Sequence, residues 1–234
     1  MDVPTVPRRP SSVSPYALRC LDALAASGLG HTVSLGGAFG LAHYHEYRAT
    51  HDVDAWWVEP VGHEQRNECI RILQVALQEF GSTGVRRWGD VVSVELTVEG
   101  KAVFSFQIAA RSALIRQPVP APWPGGVLLD SPDDLVAGKM VALVERGAPR
   151  DLRDVYSMCT AGMVDVEECR QLWEQRQRGA GEDTDRTRAA LAIRTHLARL
   201  EQARPLDRIE DLEHRKRAET VRRWFREEFL DGMD

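Results

Sequence analysis

At 234 residues, 43% of them hydrophobic and 28% charged, the chain has an ordinary globular composition and length enough for one large or two small cored units. A net charge of −5 argues against a surface coated for non-specific DNA binding and leaves open a local basic patch for RNA. No apolar run approaches the ~20 residues of a membrane span. Cys20, Cys69, Cys159 and Cys169 are scattered, with no C-x-x-C pair and no histidine at zinc spacing, so they read as free, mostly buried thiols.

Residues 1–15 are rich in Pro, Ser and Arg and lack the apolar core of a secretory signal; they read as a flexible arm, with a cytoplasmic location expected. A helix follows over 16–27, where Leu18, Leu21, Leu24 and Ala25 recur at helical spacing before Gly28 and Gly30. Alternation through Val33 and Leu35 marks a strand that closes on Gly36-Gly37. A helix-compatible segment with Phe39, Leu41, Ala42 and Tyr47 leads to a polar turn (Ala49, Thr50, His51) and a second extended run carrying Asp52 and Asp54. Residues 64–80 form a strong helix with Ile70, Leu73, Leu77 and Phe80 on its apolar side. Strands are predicted over 85–88, 91–98 and 102–109, with Glu99-Gly100 as a hairpin turn. A proline-rich connector over 112–126 leads to a short strand at 127–129. The S-P-D-D run at 131–134 then supplies a cap, a first-turn proline and two acids for a helix reaching Arg146. The remainder is helical over 150–160, 166–176, 186–203 and 206–229. The fold class is therefore α+β, a mixed-sheet core followed by a C-terminal helical domain. Its parts are an arm (1–15), a core (16–126) and a helical domain (127–234).

Side chains alternate along a strand, so Asp52 and Asp54 share a face, ~7 Å apart, while Val53 points into a core. Gly36 and Gly37 stand where a strand turns into a helix and let backbone amides approach a phosphate. Two carboxylates beside such a turn can hold a divalent metal against a nucleotide. Oxygen ligands and phosphates suit Mg²⁺, and a pair of ions bridged by carboxylates would neutralise an α-phosphate and align an attacking oxygen. A solvent-facing D-x-D beside a tight turn is the plain alternative. Each half is common, and it is their order between two strands that makes the pattern.

The pair Gly36-Gly37 followed by Asp52-Val53-Asp54 resembles the nucleotidyltransferase superfamily of polymerase-β-like fold. The fuller Y-R-A-T-H-D-V-D-A-W-W resembles the branch named after the AbiEii abortive-infection toxins, which includes the MenT toxins. That resemblance implies an NTP substrate, two Mg²⁺ ions on Asp52 and Asp54, and a helical domain that completes the active site. Arg48 and Thr50 match the arginine and small hydroxyl residue before the acidic pair, and are implied to bind nucleotide. Lys139, in A-G-K-M, lacks the Walker spacing and alone reads as a surface helical lysine; the resemblance implies a contact with the triphosphate. Arg150 and Asp154 alone are a helical i, i+4 pair worth ~0.3 kcal/mol. In the branch, an R-D-x-x-D segment closes the active site. Asp154 is thereby implied as catalytic, Arg150 as orienting that carboxylate or meeting phosphate, and Asp151 as a supporting cap. The pattern departs at one place: a third carboxylate often stands on a later strand, and V-F-S-F-Q-I-A-A puts Gln107 there; Glu95 on the preceding strand is a candidate substitute, with an ordinary outward residue as the plainer reading.

His43 and His45 sit two apart on a predicted helix and make poor co-ligands, and His51 reads as a turn residue. Trp56 and Trp57 straddle two faces, one of them core and the other available to stack a base. The arginines of the last helices, from Arg194 to Arg226, are interleaved with acids. They read as a solvated charged face, with an RNA-gripping face as the alternative. The expectation is a Mg²⁺-dependent nucleotidyltransferase that moves NMP from an NTP to an acceptor. The resemblance implies the tRNA 3′ end as acceptor, and a toxin countered by a cognate antitoxin, with no membrane partner. A nucleotide- or RNA-binding module with weakened turnover and an aminoglycoside-type small-molecule nucleotidyltransferase are the alternatives.

Overall fold

A computed structural model describes residues 6–231. The chain divides into two units between Leu135 and Val136. The first contains α1 (Pro15–Ala26), β1 (Val33–Gly36), α2 (Gly37–Ala42), β2 (Val53–Trp57), α3 (His63–Leu77), β3 (Ser82–Trp88), β4 (Val91–Val98), β5 (Lys101–Ala109), β6 (Val119–Pro120) and β7 (Leu128–Leu129). The strands form one mixed sheet in the order β3-β4-β5-β2-β1-β7-β6.

β2 is the central strand. It runs antiparallel to β1, with Gly36 opposite Asp54, and parallel to β5, with Gln107 opposite Asp54. Its alternation is complete: Val53, Ala55 and Trp57 are buried, and Asp54 and Trp56 between them are half-buried. The buried face continues into Val33 and Leu35 of β1 and Phe104, Phe106 and Ile108 of β5. Leu21 and Leu24 of α1 and Ile70, Leu73 and Leu77 of α3 are buried in the same unit. Each such side chain contributes ~1.5–3 kcal/mol on burial, so the core fixes which face Asp54 occupies. A register slip of one residue would put the acids inside.

Residues 1–5 of the predicted arm lie outside the described residues. Over 6–14 the chain is tied to the sheet unit: the Arg8 amide donates to the His43 carbonyl at 2.8 Å, and the Ser11 and Ser12 amides donate to Glu46 at 2.7 and 3.0 Å. Arg9 lies over the Trp123 ring at 4.6 Å. The Ser14 hydroxyl caps α1 by accepting from the Ala17 amide. α2 is shorter than predicted and ends at Ala42, because two of its six residues are glycines of low helix propensity. His43 and His45 therefore lie past it. The His43 ring is buried, accepts from the Trp123 indole N–H at 2.7 Å through Nε2 and donates from Nδ1 to the Phe39 carbonyl at 2.9 Å. Burial lowers its pKa from the ordinary value, and the paired hydrogen bonds fix the neutral tautomer.

The second unit is helical. α4 (Pro132–Glu145) leads into it, followed by α5 (Pro149–Thr160), α6 (Val166–Ala180), α7 (Arg186–Ala203), α8 (Leu212–Trp224) and a π-turn at Phe225–Phe229. Leu152, Val155, Met158, Trp173, Ile193, Phe225 and Phe229 are buried there. α6 runs one turn past its predicted end, to where Gly181 adopts the left-handed conformation (φ 74°) that terminates it. The single helix predicted over 206–229 is broken: after a 3₁₀ turn at Leu206–Arg208, the Asp211 carboxylate accepts from the His214 amide and starts α8 afresh. Among the basic residues of this region, Arg226 pairs with Glu201 and Lys216 with Glu213. Arg222 is buried, donating to the Arg204 carbonyl. Among the described residues no helix is long and apolar enough to cross a membrane.

Candidate active site

The glycine turn and the acidic strand are fitted to one another. Gly37 has φ 58°, a left-handed conformation that costs a residue with a Cβ on the order of 1 kcal/mol or more. A Cβ there would run into the Asp54 carboxylate, lying 2.7 Å from its Cβ. A Cβ at Gly36 would meet the Trp56 indole and come within 3.2 Å of Asp130 Oδ2. The two glycines thus make room for protein atoms as well as for whatever approaches the turn.

Asp52 precedes β2 and is exposed; Asp54 is half-buried on the same side. Asp52 Oδ1 accepts from the Ser105 amide at 2.8 Å and from the Ser105 hydroxyl at 3.0 Å. Gln107 donates from Nε2 to the Ser105 Oγ at 3.2 Å. Glu95 lies opposite Ser105 on β4 and pairs with Arg86 at 3.3 Å. Arg48, in the loop between α2 and β2, stacks on the Tyr47 ring with its Cζ 5.7 Å from the centroid, and Thr50 is half-buried two residues before Asp52. Trp57 is the core tryptophan. Trp56 shares the Asp54 face and lies under the Arg111 guanidinium, 5.3 Å from its ring centroid.

A second set of polar residues on this sheet was not singled out from sequence. Asp130, just after β7, is buried; it accepts from the Ser34 hydroxyl at 2.5 Å and pairs with Arg111. Burial raises its carboxyl above the ordinary value, against the pull of Arg111 and Ser34. The neighbouring Asp134 binds the Ile115 and Arg116 amides at 2.9 Å each and caps α4 together with Ser131. A D-S-P-D-D run reads as a helix start, and its first acid pairs with Ser34 of the sheet.

In the helical unit, Lys139 of α4 and Asp154 of α5 are both buried and joined by an ion pair of 2.6 Å between Nζ and Oδ2. Arg150 is exposed. Asp151 is fully buried: Arg146 grips it with both arms of its guanidinium (2.6 and 2.9 Å), and the Ala148 amide donates to it at 2.9 Å. Arg146 thus meets Asp151, and Lys139 pairs with Asp154.

Among the described residues no three His, Cys, Asp or Glu side chains are grouped to hold a metal by themselves. The donor set of Asp52 and Asp54 nevertheless fits Mg²⁺, a hard cation usually bound through one or two carboxylates together with substrate phosphates.

A family model described as "Nucleotidyl transferase AbiEii toxin, Type IV TA system" matches residues 19–231. A crystal structure of a protein from H. pylori designated a nucleotidyltransferase superimposes with a TM-score of 0.51 at 14% identity, over 93% of this chain and 97% of that one. A nucleotidyltransferase-like antigenic protein from Paracoccidioides brasiliensis aligns at 17% identity over 87% and 92%, with a TM-score of 0.38. At 14% identity the first likeness is one of fold. Among curated proteins none matches.

Proposed function

The chain belongs to the AbiEii nucleotidyl transferase toxin family and is a nucleotidyltransferase; on that premise we propose that it transfers NMP from an NTP to the 3′ end of tRNA in a Mg²⁺-dependent reaction. The observation that carries the reading is the glycine turn shaped around Asp54, with Asp52 tethered beside it. Asp52 and Asp54 would hold Mg²⁺, which supplies charge neutralisation at the α-phosphate. The Gly36 and Gly37 backbone would approach the triphosphate, with Arg48, Thr50, Lys139 and Arg150 as further nucleotide contacts. In this reading Asp154 accepts the proton of the attacking hydroxyl. The new bond joins that oxygen to the α-phosphorus, the α–β bridge breaks, and pyrophosphate leaves. The proposed biology is a cytoplasmic toxin restrained by a cognate antitoxin.

A binding module with little turnover is the second reading. It is favoured by Gln107, which sits opposite Asp54 where a third acid would stand. Incubating total tRNA with each α-labelled NTP and Mg²⁺, wild type against Asp52→Ala, separates the two. Labelled tRNA that disappears in the variant supports transfer. Absence of label, with NTP binding retained, supports the module or a small-molecule acceptor such as an aminoglycoside. Loss of NTP binding altogether would overturn the site.

A further inference from the structure

We propose that Ser105 and Gln107 are positioning residues that hold Asp52 in place to receive a divalent cation, and that the amide of Gln107 is what makes this possible. The inference rests on the nucleotidyltransfer reading for its consequence and on β5 geometry for its substance. Asp52 is an exposed carboxylate just outside β2, where nothing in the core restrains its rotamer. Ser105 restrains it twice, by its amide at 2.8 Å and its hydroxyl at 3.0 Å, and both bonds fall on Oδ1. The other oxygen, Oδ2, takes part in neither.

A serine hydroxyl has a single proton to give. Gln107 Nε2 donates to Ser105 Oγ at 3.2 Å, which occupies the hydroxyl as an acceptor and directs its proton to Asp52. The order of donation is thus Gln107 to Ser105 to Asp52. A carboxylate at position 107 would reverse it. An ionised acid can only accept, so it would compete with Asp52 for the Ser105 proton. It would also face Asp54 across the β2–β5 ladder, where like charges destabilise. Glutamine at this place is therefore a working part of the acidic site, and the chain gains an oriented Asp52 where it lacks a third acid.

The test is Mn²⁺ binding to the intact chain, followed by electron paramagnetic resonance, alongside the Mg²⁺ concentration giving half-maximal NMP transfer. Ser105→Ala and Gln107→Glu should each weaken Mn²⁺ binding about three- to tenfold and raise the Mg²⁺ requirement by a similar factor. The NTP KM at saturating Mg²⁺ should stay within twofold, and Ser105→Thr, which keeps the hydroxyl, should restore wild-type values. Unchanged melting temperatures identify these as local effects; if a variant unfolds, Gln107→Ala and Ser105→Thr supply the comparison. Mn²⁺ affinity and Mg²⁺ requirement within twofold of wild type in Ser105→Ala would overturn the proposal, as would undiminished Mn²⁺ binding in Asp52→Ala. If no acceptor is labelled by the wild type while Mn²⁺ binding still falls in Ser105→Ala, the positioning role stands and the transfer reading fails.

Discussion

In the sheet unit, Asp52 is exposed and steadied by an uncharged amide and hydroxyl, whereas in the helical unit Asp154 is wholly buried against the Lys139 ammonium at 2.6 Å. Neutral donors orient a carboxylate and leave its charge to attract a cation. A buried lysine has already balanced the charge, at the cost of desolvating both partners. The difference teaches that one residue type is set in two states by its surroundings: an oriented, solvent-facing charge in the first case, and in the second a charge already held in a buried pair.

The comparison breaks most visibly in activity. Asp52→Ala or Asp54→Asn should lower NMP transfer by about 10³-fold or more, measured by label incorporation at saturating NTP. The two units should then part company in stability. Removing one member of the buried pair, by Lys139→Met or Asp154→Asn, is expected to cost about 3–5 kcal/mol in urea unfolding, while Asp52→Ala costs less than ~0.5 kcal/mol. Replacing both members, Lys139→Met with Asp154→Leu, should recover part of that loss, because the ion pair is then removed as a unit. Equal losses for Asp52→Ala and Asp154→Asn would remove the distinction.

Gly37→Ala sharpens the sheet side of it. The φ of 58° and the collision with Asp54 together predict a destabilisation of about 1–3 kcal/mol, with transfer lost although both acids remain. The smallest effect is one of pH. His43 is held neutral in the folded protein, its pKa lowered by burial, while the unfolded chain takes up a proton near the ordinary 6.5. Its contribution is fully present above pH 6.5 and is lost as pH falls through the lower folded value, with a slope of at most ~1.4 kcal/mol per pH unit. His43→Gln, which retains an acceptor for Trp123, should flatten the melting temperature between pH 7 and 5, as read by calorimetry.

The acidic strand was legible because strand alternation is a local property: Val53, Ala55 and Trp57 name the core face, and the acids follow on the other. The S-P-D-D cap and the arrangement of strands before helices were legible for the same reason. Ser105 was not, because its bond to Asp52 spans 53 positions and depends on a parallel β2–β5 register that no local pattern encodes. Asp130 was hidden inside a helix-start motif, and its partner Arg111 lies 19 positions earlier in an irregular segment. Helical spacing pointed to Arg150 as the companion of Asp154, and the pair with Lys139, from the preceding helix, was not visible to it. Periodicity speaks for faces within an element and is silent on which elements meet.

The Asp54 carboxylate lying where a Gly37 side chain would grow has a consequence for descent. While Asp54 is needed, a single-codon change at Gly37 meets both a strained backbone and an occupied space, so the two positions travel as one heritable unit. A lineage released from catalysis would lose the acid first, and only the occupied space would then be relieved, since the left-handed backbone still favours glycine. The order of decay in retired copies should record which of the two had been holding the other in place.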